Sequence, residues 1–109
     1  MPECFIKIPR NQVKESNYFT ATAYFRSGDA ASAPTTARYR VDCLTTGKNI
    51  TGWTDITPAV SANLTIGPNT MSYDGNQNER KQITVEADSG LTTQNQATRT
   101  YIVLNNNAY

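Results

Sequence analysis

The sequence contains no histidine and only two cysteines in 109 residues. Histidine is the commonest general base near neutral pH and the commonest zinc ligand, so its absence excludes Ser-His-Asp and Cys-His catalytic arrangements. Cys4 and Cys43 are too few for a disulfide scaffold or a structural zinc site. We therefore expect two free thiols, each on a strand, and no bound metal or cofactor.

The sequence also lacks an excess of charge of either sign and lacks long apolar runs. Ten Lys and Arg against nine Asp and Glu leave a formal net charge of +1, which argues against a nucleic-acid binder, because such binding depends on clustered cations. No segment approaches the ~20 apolar residues of a membrane-spanning helix, and residues 1–20 contain no apolar run of signal-peptide length. We therefore expect no direct nucleic-acid or membrane contact, and folding in a cytoplasm.

Large aliphatic side chains are few, since Leu, Ile, Val and Phe total only 19 residues. Low hydrophobicity predicts disorder only together with a high net charge, and that charge is missing. The chain has instead 16 Thr, 11 Ala and 6 Tyr, which suit a small β-rich core and its surface. Its length supports one hydrophobic core and therefore one domain.

Alternation of apolar and polar residues dominates the chain and is typical of half-buried antiparallel strands. The inward-facing sets are Phe19, Ala21, Ala23 and Phe25, then Tyr39, Val41 and Cys43, then Ile83, Val85 and Ala87. Turns rich in Gly, Asn and Pro separate the strands, which are predicted at 3–8, 18–26, 37–44, 50–56, 61–66, 80–88 and 99–105. Residues 11–17 allow one helical turn at most. About seven short strands without helices predict an all-β antiparallel sandwich. Residues 1–17 would form a first strand and connecting arm, and 18–109 the remainder of one domain.

The number and order of these strands resemble an immunoglobulin-like or fibronectin type III-like sandwich, and residues 83–90 (ITVEADSG) are similar to the F strand and following turn of fibronectin type III domains. A narrower resemblance rests on residues 39–47 (YRVDCLTTG), 53–55 (WTD), 79–88 (ERKQITVEAD) and 101–105 (YIVLN). These segments resemble small Ig-like virion proteins of tailed bacteriophages, over residues 37–105.

This resemblance implies a non-enzymatic structural protein of a tailed-phage particle, located in the virion and assembled in the host cytoplasm. The first expectation is a capsid decoration or cement protein that docks on the major capsid protein. The alternative is a neck or tail component that contacts neck or tail proteins. Contacts between copies of the chain would suit either role.

Apolar side chains on the two terminal strands point away from the predicted core. In the last strand, Tyr101 and Val103 fit the inward face, so Ile102 and Leu104 point outward; Phe5 does the same in the first strand. Exposed apolar residues on an edge strand favour aggregation. We therefore predict that Phe5, Ile102 and Leu104 contact another subunit, unless a loop or residues 9–17 cover them within the monomer.

The single tryptophan has two interpretations. A lone Trp in a small sandwich most often lies in the core, because it buries a large area. Trp53 beside Gly52 would otherwise be an exposed platform for a sugar ring. Trp53, or Tyr73 in a loop, would then serve a displayed carbohydrate-binding module that recognises host surface sugars.

The charged residues predict a solvated surface rather than an active site. A carboxylate pair could serve glycoside chemistry, but every candidate is expected at an outward strand position or in a turn, where it would be ionised. The candidates are Asp42, Asp55, Asp74, Glu79, Glu86 and Asp88. Arg26, Arg38, Arg40 and Lys81 are expected to share this mixed surface with them.

Overall fold

The computed structural model describes residues 3–71, 77–88 and 95–105, and within these ranges the chain forms nine β-strands and no α-helix. The strands are β1 (Glu3–Lys7), β2 (Gln12–Lys14), β3 (Phe19–Ser27), β4 (Ala30–Ala31), β5 (Ala37–Cys43), β6 (Asn49–Ile56), β7 (Ser61–Ile66), β8 (Glu79–Ala87) and β9 (Gln96–Leu104). They form two sheets that pack against each other. The expectation of an all-β, sandwich-like protein is therefore confirmed.

The five-stranded sheet contains one parallel pair of strands, whereas the pairs of the four-stranded sheet are antiparallel. In the four-stranded sheet, β3 pairs antiparallel with β1, β4 and β7. The five-stranded sheet has the order β2-β9-β8-β5-β6, and its pairs are antiparallel except that β2 runs parallel to β9. All seven predicted strands are present; the largest shift is in β9, which begins at Gln96 rather than at residue 99.

Residues 11–17 hold a strand rather than the helical turn that the sequence allowed. Val13 is buried and pairs with Val103, so β2 covers part of the β9 edge. Over Ile102, Val103 and Leu104 the last strand is therefore not the edge strand that its position in the sequence predicted. A three-residue strand with two exposed polar residues carries almost no alternation of its own, and the neighbouring β9 determines its conformation.

Asn69 holds the connection between β2 and β3 against the sandwich. Its backbone N–H and its Nδ2 both donate to the Asn17 carbonyl oxygen, at 3.1 and 2.8 Å, and its own carbonyl oxygen accepts from Ser16 N at 2.8 Å. The Tyr101 hydroxyl donates to Asn69 Oδ1 at 2.6 Å. Gly67 permits this approach, since a Cβ there would lie 2.9 Å from the Asn17 carbonyl oxygen.

The core lies between the sheets and follows the predicted alternation. Ile83, Val85 and Ala87 of β8 are fully buried, and they face Ala21, Ala23 and Phe25 of β3 across the interior. Phe19 and Tyr101 pack edge to face, with ring centroids 4.9 Å apart. Burying one Phe, Ile or Val side chain contributes about 1.5–3 kcal/mol, so these strands carry much of the stability.

The two cysteines are buried and free, and they lie in different sheets, Cys4 on β1 and Cys43 on β5. Cys4 Sγ donates to the Asn95 carbonyl oxygen at 3.0 Å. Burial raises the pKa of Cys4 to about 11, so the thiol stays protonated near neutral pH. The expectation of two free thiols on strands is confirmed.

Candidate interaction surface

The side chains of β9, β8 and β5 that point away from the core form one surface, which we name the outer face of the five-stranded sheet. Strand register arranges them in cross-strand rows. From one end to the other the rows are Ile102–Arg80, Thr100–Gln82–Asp42, Thr98–Thr84–Arg40 and Gln96–Glu86–Arg38. The outer face therefore has an apolar end at Ile102, which lies beside Arg80. Strand β5 contributes a charged side chain to each of the other three rows, and Glu86 lies in the last of them.

The apolar end contains two of the predicted interface residues. Ile102 and Leu104 are half-buried and alternate with the buried Tyr101 and Val103. Residues 9–17 supply β2, which pairs with the backbone of β9 at these positions, yet both side chains keep part of their surface in solvent. Residues 9–17, which we considered as a cover for these side chains, therefore cover the backbone edge of β9 and leave Ile102 and Leu104 partly exposed.

Leu44 extends this apolar end and was missed in the sequence. It follows β5, is 43 % exposed, and its backbone N donates to the Arg80 carbonyl oxygen at 2.8 Å. Arg80 pairs on its other side with Ile102, so Leu44 and Ile102 flank the same position of β8. The sequence did contain a signal for an outward Leu44. Leu44 directly follows the inward-facing Cys43, and alternation along a strand directs the next side chain outward.

Phe5 belongs to a different surface. It lies on β1, pairs with Tyr24 of β3, and is 41 % exposed on the outside of the four-stranded sheet. The Arg26 guanidinium lies 5.4 Å from the centroid of its ring. The structure therefore does not bring Phe5 together with Ile102 and Leu104, because the two sheets present their outer faces in opposite directions.

Trp53 is on the surface, so the preference for a core position is wrong. It is 38 % exposed on β6, with the Arg38 and Arg40 guanidinium carbons 4.0 and 5.3 Å from its ring centroid. Thr54 pairs with Tyr39, which packs against the core, and alternation therefore turns Trp53 outward beside the two arginines. Tyr73, the alternative aromatic residue for a sugar site, lies outside the described residues.

Local ion pairs neutralise the charged side chains of these other rows. Arg38 donates to Glu86 Oε1 from Nε at 2.7 Å, and Arg40 binds both carboxylate oxygens of Asp42, at 2.8 and 3.0 Å. Burial opposes ionisation of Asp42, but hydrogen bonds from Arg40 and Asn49 outweigh it and hold its pKa below the usual value. Glu86 is buried by these contacts, which corrects the expectation that it is solvated.

Two further charged residues lie inside the sandwich rather than on its surface. Glu79 and Lys81 are both 0 % exposed, which contradicts their predicted outward positions. Lys81 lies in an inward row between Cys43 and Tyr101, and its Nζ donates to the Thr70 carbonyl oxygen. Burial lowers the pKa of Lys81, and the nearby Glu79 partly offsets this effect. Glu79 and Lys81 lie at alternate positions of β8 with Ile83, so all three side chains point to the same inward face of the sheet. The position in the strand, and not the charge, therefore determines where these two side chains lie.

Two carboxylates of the outer face are paired with arginines. Asp42 and Glu86 accept hydrogen bonds from arginines, which holds both carboxylates in ion pairs. Among the described residues, no three Cys, Asp or Glu side chains are grouped closely enough to bind a metal ion. The same ranges contain no helix that is long and apolar enough to cross a membrane.

Comparison of the chain with protein-family models, with curated proteins and with solved structures gave no match in any of the three.

Proposed function

We propose that the sandwich is immunoglobulin-like. In that fold the last strand lies in one sheet with its hairpin partner, the third strand and an added fourth strand, and the remaining strands form the second sheet. The order β9-β8-β5-β6 follows this arrangement, and β1, β3 and β7 lie in the opposite sheet together with the two-residue β4. The division of the N-terminal segment between β1 and β2, one in each sheet, supports the same topology.

Its function in this proposal is that of a non-enzymatic structural protein of a tailed-phage particle, a capsid decoration or cement protein that docks on the major capsid protein. The chain would be located in the virion after assembly in the host cytoplasm. The observation that carries the proposal is the apolar end of the outer face, where Ile102 and Leu104 point outward from β9 and Leu44 lies on the other side of Arg80. Clustered apolar residues on a surface mark protein contacts more often than single ones do.

The energy available at this site is modest for one contact. Ile102 and Leu104 are half-buried in the free chain, so docking removes only their remaining surface from water. Half of the usual 1.5–3 kcal/mol for each side chain gives roughly 1.5–3 kcal/mol for the pair. A lattice with many identical sites, or contacts between neighbouring copies, would multiply this contribution through avidity.

The test is to load purified protein onto phage heads assembled without it and to measure occupancy. Ile102→Ser combined with Leu104→Ser should leave the chain folded and reduce occupancy strongly, because docking loses its apolar centre. Phe5→Ser is the matched control, since it removes an exposed apolar side chain from the opposite sheet and should load like the wild type.

The opposite pattern would contradict the proposed surface. A folded double variant with wild-type occupancy would exclude this end of the outer face, and reduced loading of Phe5→Ser would indicate the other sheet. Failure of the double variant to fold would mean that Ile102 and Leu104 serve the monomer. Purified tails, tested alongside heads, distinguish the alternative of a neck or tail component.

Trp53 favours a second candidate function, a displayed carbohydrate-binding module. An exposed indole can stack on a sugar ring, and Trp53 keeps 38 % of its surface in solvent. Arg38 competes for the ring, since its guanidinium carbon lies 4.0 Å from the centroid. Binding of host surface glycans that is lost in Trp53→Ala, with unchanged particle occupancy, would support this alternative.

A further inference from the structure

The edge of β9 is only partly covered. Its pairing with β2 extends over Ile102, Val103 and Leu104, and within the described residues no strand pairs with residues 96–100 on that side. A groove of about 510 Å³ lies there, between this stretch of β9 and the chain that enters β2, and it is lined by Asn11, Gln12 and residues 98–102. Thr98, Arg99 and Thr100 are all exposed.

The backbone groups that face this groove follow from the hydrogen bonds at its end. Ile102 N donates to the Asn11 carbonyl oxygen at 2.8 Å, and the Leu104 carbonyl oxygen accepts from Glu15 N at 3.0 Å. Backbone polar groups of successive residues in a strand point to alternate edges, so those of Thr98 and Thr100 point to the same side as those of Ile102. An edge that presents such groups is a template for another strand.

Charge on this side of the molecule is positive. Arg99 is exposed and lines the groove, and Arg10, which precedes the groove residue Asn11, is also exposed. Lys14 is exposed farther along the same edge, at the end of β2 opposite Leu104. Glu15, the acidic residue of this segment, is half-buried. Arg99 in the groove and Arg10 next to it complement an extended segment that carries carboxylates, and Lys14 adds a cation farther along the same edge.

We propose that residues 96–100 of β9 dock an extended, acidic polypeptide segment of a partner protein by β-strand addition. The segment would occupy the position in line with β2 and hydrogen-bond to the backbone of Thr98 and Thr100. Main-chain bonds supply affinity in this mode of recognition, and side chains supply selectivity. Arg99 would select acidic side chains. The site uses a strand edge, and it therefore stands independently of docking through the outer face.

The probe is a seven-residue peptide in which glutamate and valine alternate, and the readout is amide hydrogen exchange by NMR. Saturating peptide should slow exchange at Thr98 and Thr100 by about tenfold or more, which corresponds to about 1.4 kcal/mol of protection. Arg99→Glu should weaken binding by about tenfold, and a peptide with lysine in place of glutamate should bind correspondingly less well.

Two controls isolate the backbone contribution. Thr98→Pro removes one N–H that faces the groove, whereas Thr98→Ala keeps it, so only the proline variant should lose affinity. A peptide with N-methylated alternate amides should not bind, which tests the same hydrogen bonds without changing the protein. The exchange pattern of β8 reports whether each variant is folded.

Three results would overturn the proposal: unchanged exchange at Thr98 and Thr100 at millimolar peptide, equal binding of the N-methylated peptide, or equal binding of the lysine peptide. Protection of these amides that rises with protein concentration alone would replace the acidic partner by a second copy of the chain. Each result is read from the purified protein, so none depends on its loading onto a particle.

Discussion

Val85→Ala perturbs the centre of the core with a small change in shape. Val85 is 0 % exposed at the middle of β8, where it pairs with Tyr39 of β5 and Ala97 of β9. Deleting two buried methyl groups costs about 0.8 kcal/mol each in transfer free energy, and a cavity penalty adds to this. We expect the free energy of unfolding to fall by about 1–3 kcal/mol.

Thr84→Ala is the matched comparison, because Thr84 precedes Val85 and faces the outer side of the same sheet, where it is half-buried. Its replacement should cost less than ~1 kcal/mol, since a surface position leaves no cavity. Urea denaturation of both variants measures the difference, and an unchanged m-value would show that unfolding exposes the same surface. Equal losses in the two variants would refute the assignment of the inward and outward faces of β8.

The remaining predictions concern the thiols and the tryptophan. Thiol titration of denatured, unreduced protein should detect both Cys4 and Cys43; a disulfide would leave none. Burial raises the pKa of Cys4 from 9.0 to about 11, so only the unfolded chain loses this proton in that range. The free energy of unfolding should therefore fall between pH 9 and 11, and less steeply in Cys4→Ala. Acrylamide should quench native Trp53 emission, and more strongly in Arg38→Met; an unquenched signal would indicate a core position.

Alternation in the sequence predicted the strands that bury one complete face. In β3, β5 and β8 the apolar side chains recur at every second position, and the core selects that same face. β2 has no such pattern, because Val13 is its one buried residue. Its conformation depends on β9 and on the hydrogen bonds of Asn69, which are contacts between residues far apart in the sequence.

The predicted burial of a side chain was wrong where the type of residue suggested one face of the sheet and its position in the strand dictated the other. Lys81 and Glu79 have the inward parity of Ile83, and the Thr70 carbonyl oxygen that accepts from Lys81 comes from a segment between β7 and β8. That compensation is not visible in the local sequence. Trp53 is the reverse case, since its size suggested the core while the buried Ile56 of the same strand places it on the outer side.

The candidate site could be predicted only in part. The outward positions of Ile102 and Leu104 follow from the alternation of β9, and both lie on the outer face. The separation of Phe5 from that face could not be read from the chain, because it depends on which sheet each terminal strand joins. The open edge at residues 96–100 likewise requires the end of β2 to be known.

Electron cryomicroscopy of the assembled particle tests the docking of this chain most directly. We expect density for the sandwich on the capsid exterior, with Ile102, Leu104 and Leu44 against the major capsid protein and Phe5 directed to solvent. A sandwich bound through the four-stranded sheet would contradict the proposed surface, and a particle without this chain would contradict the proposed function.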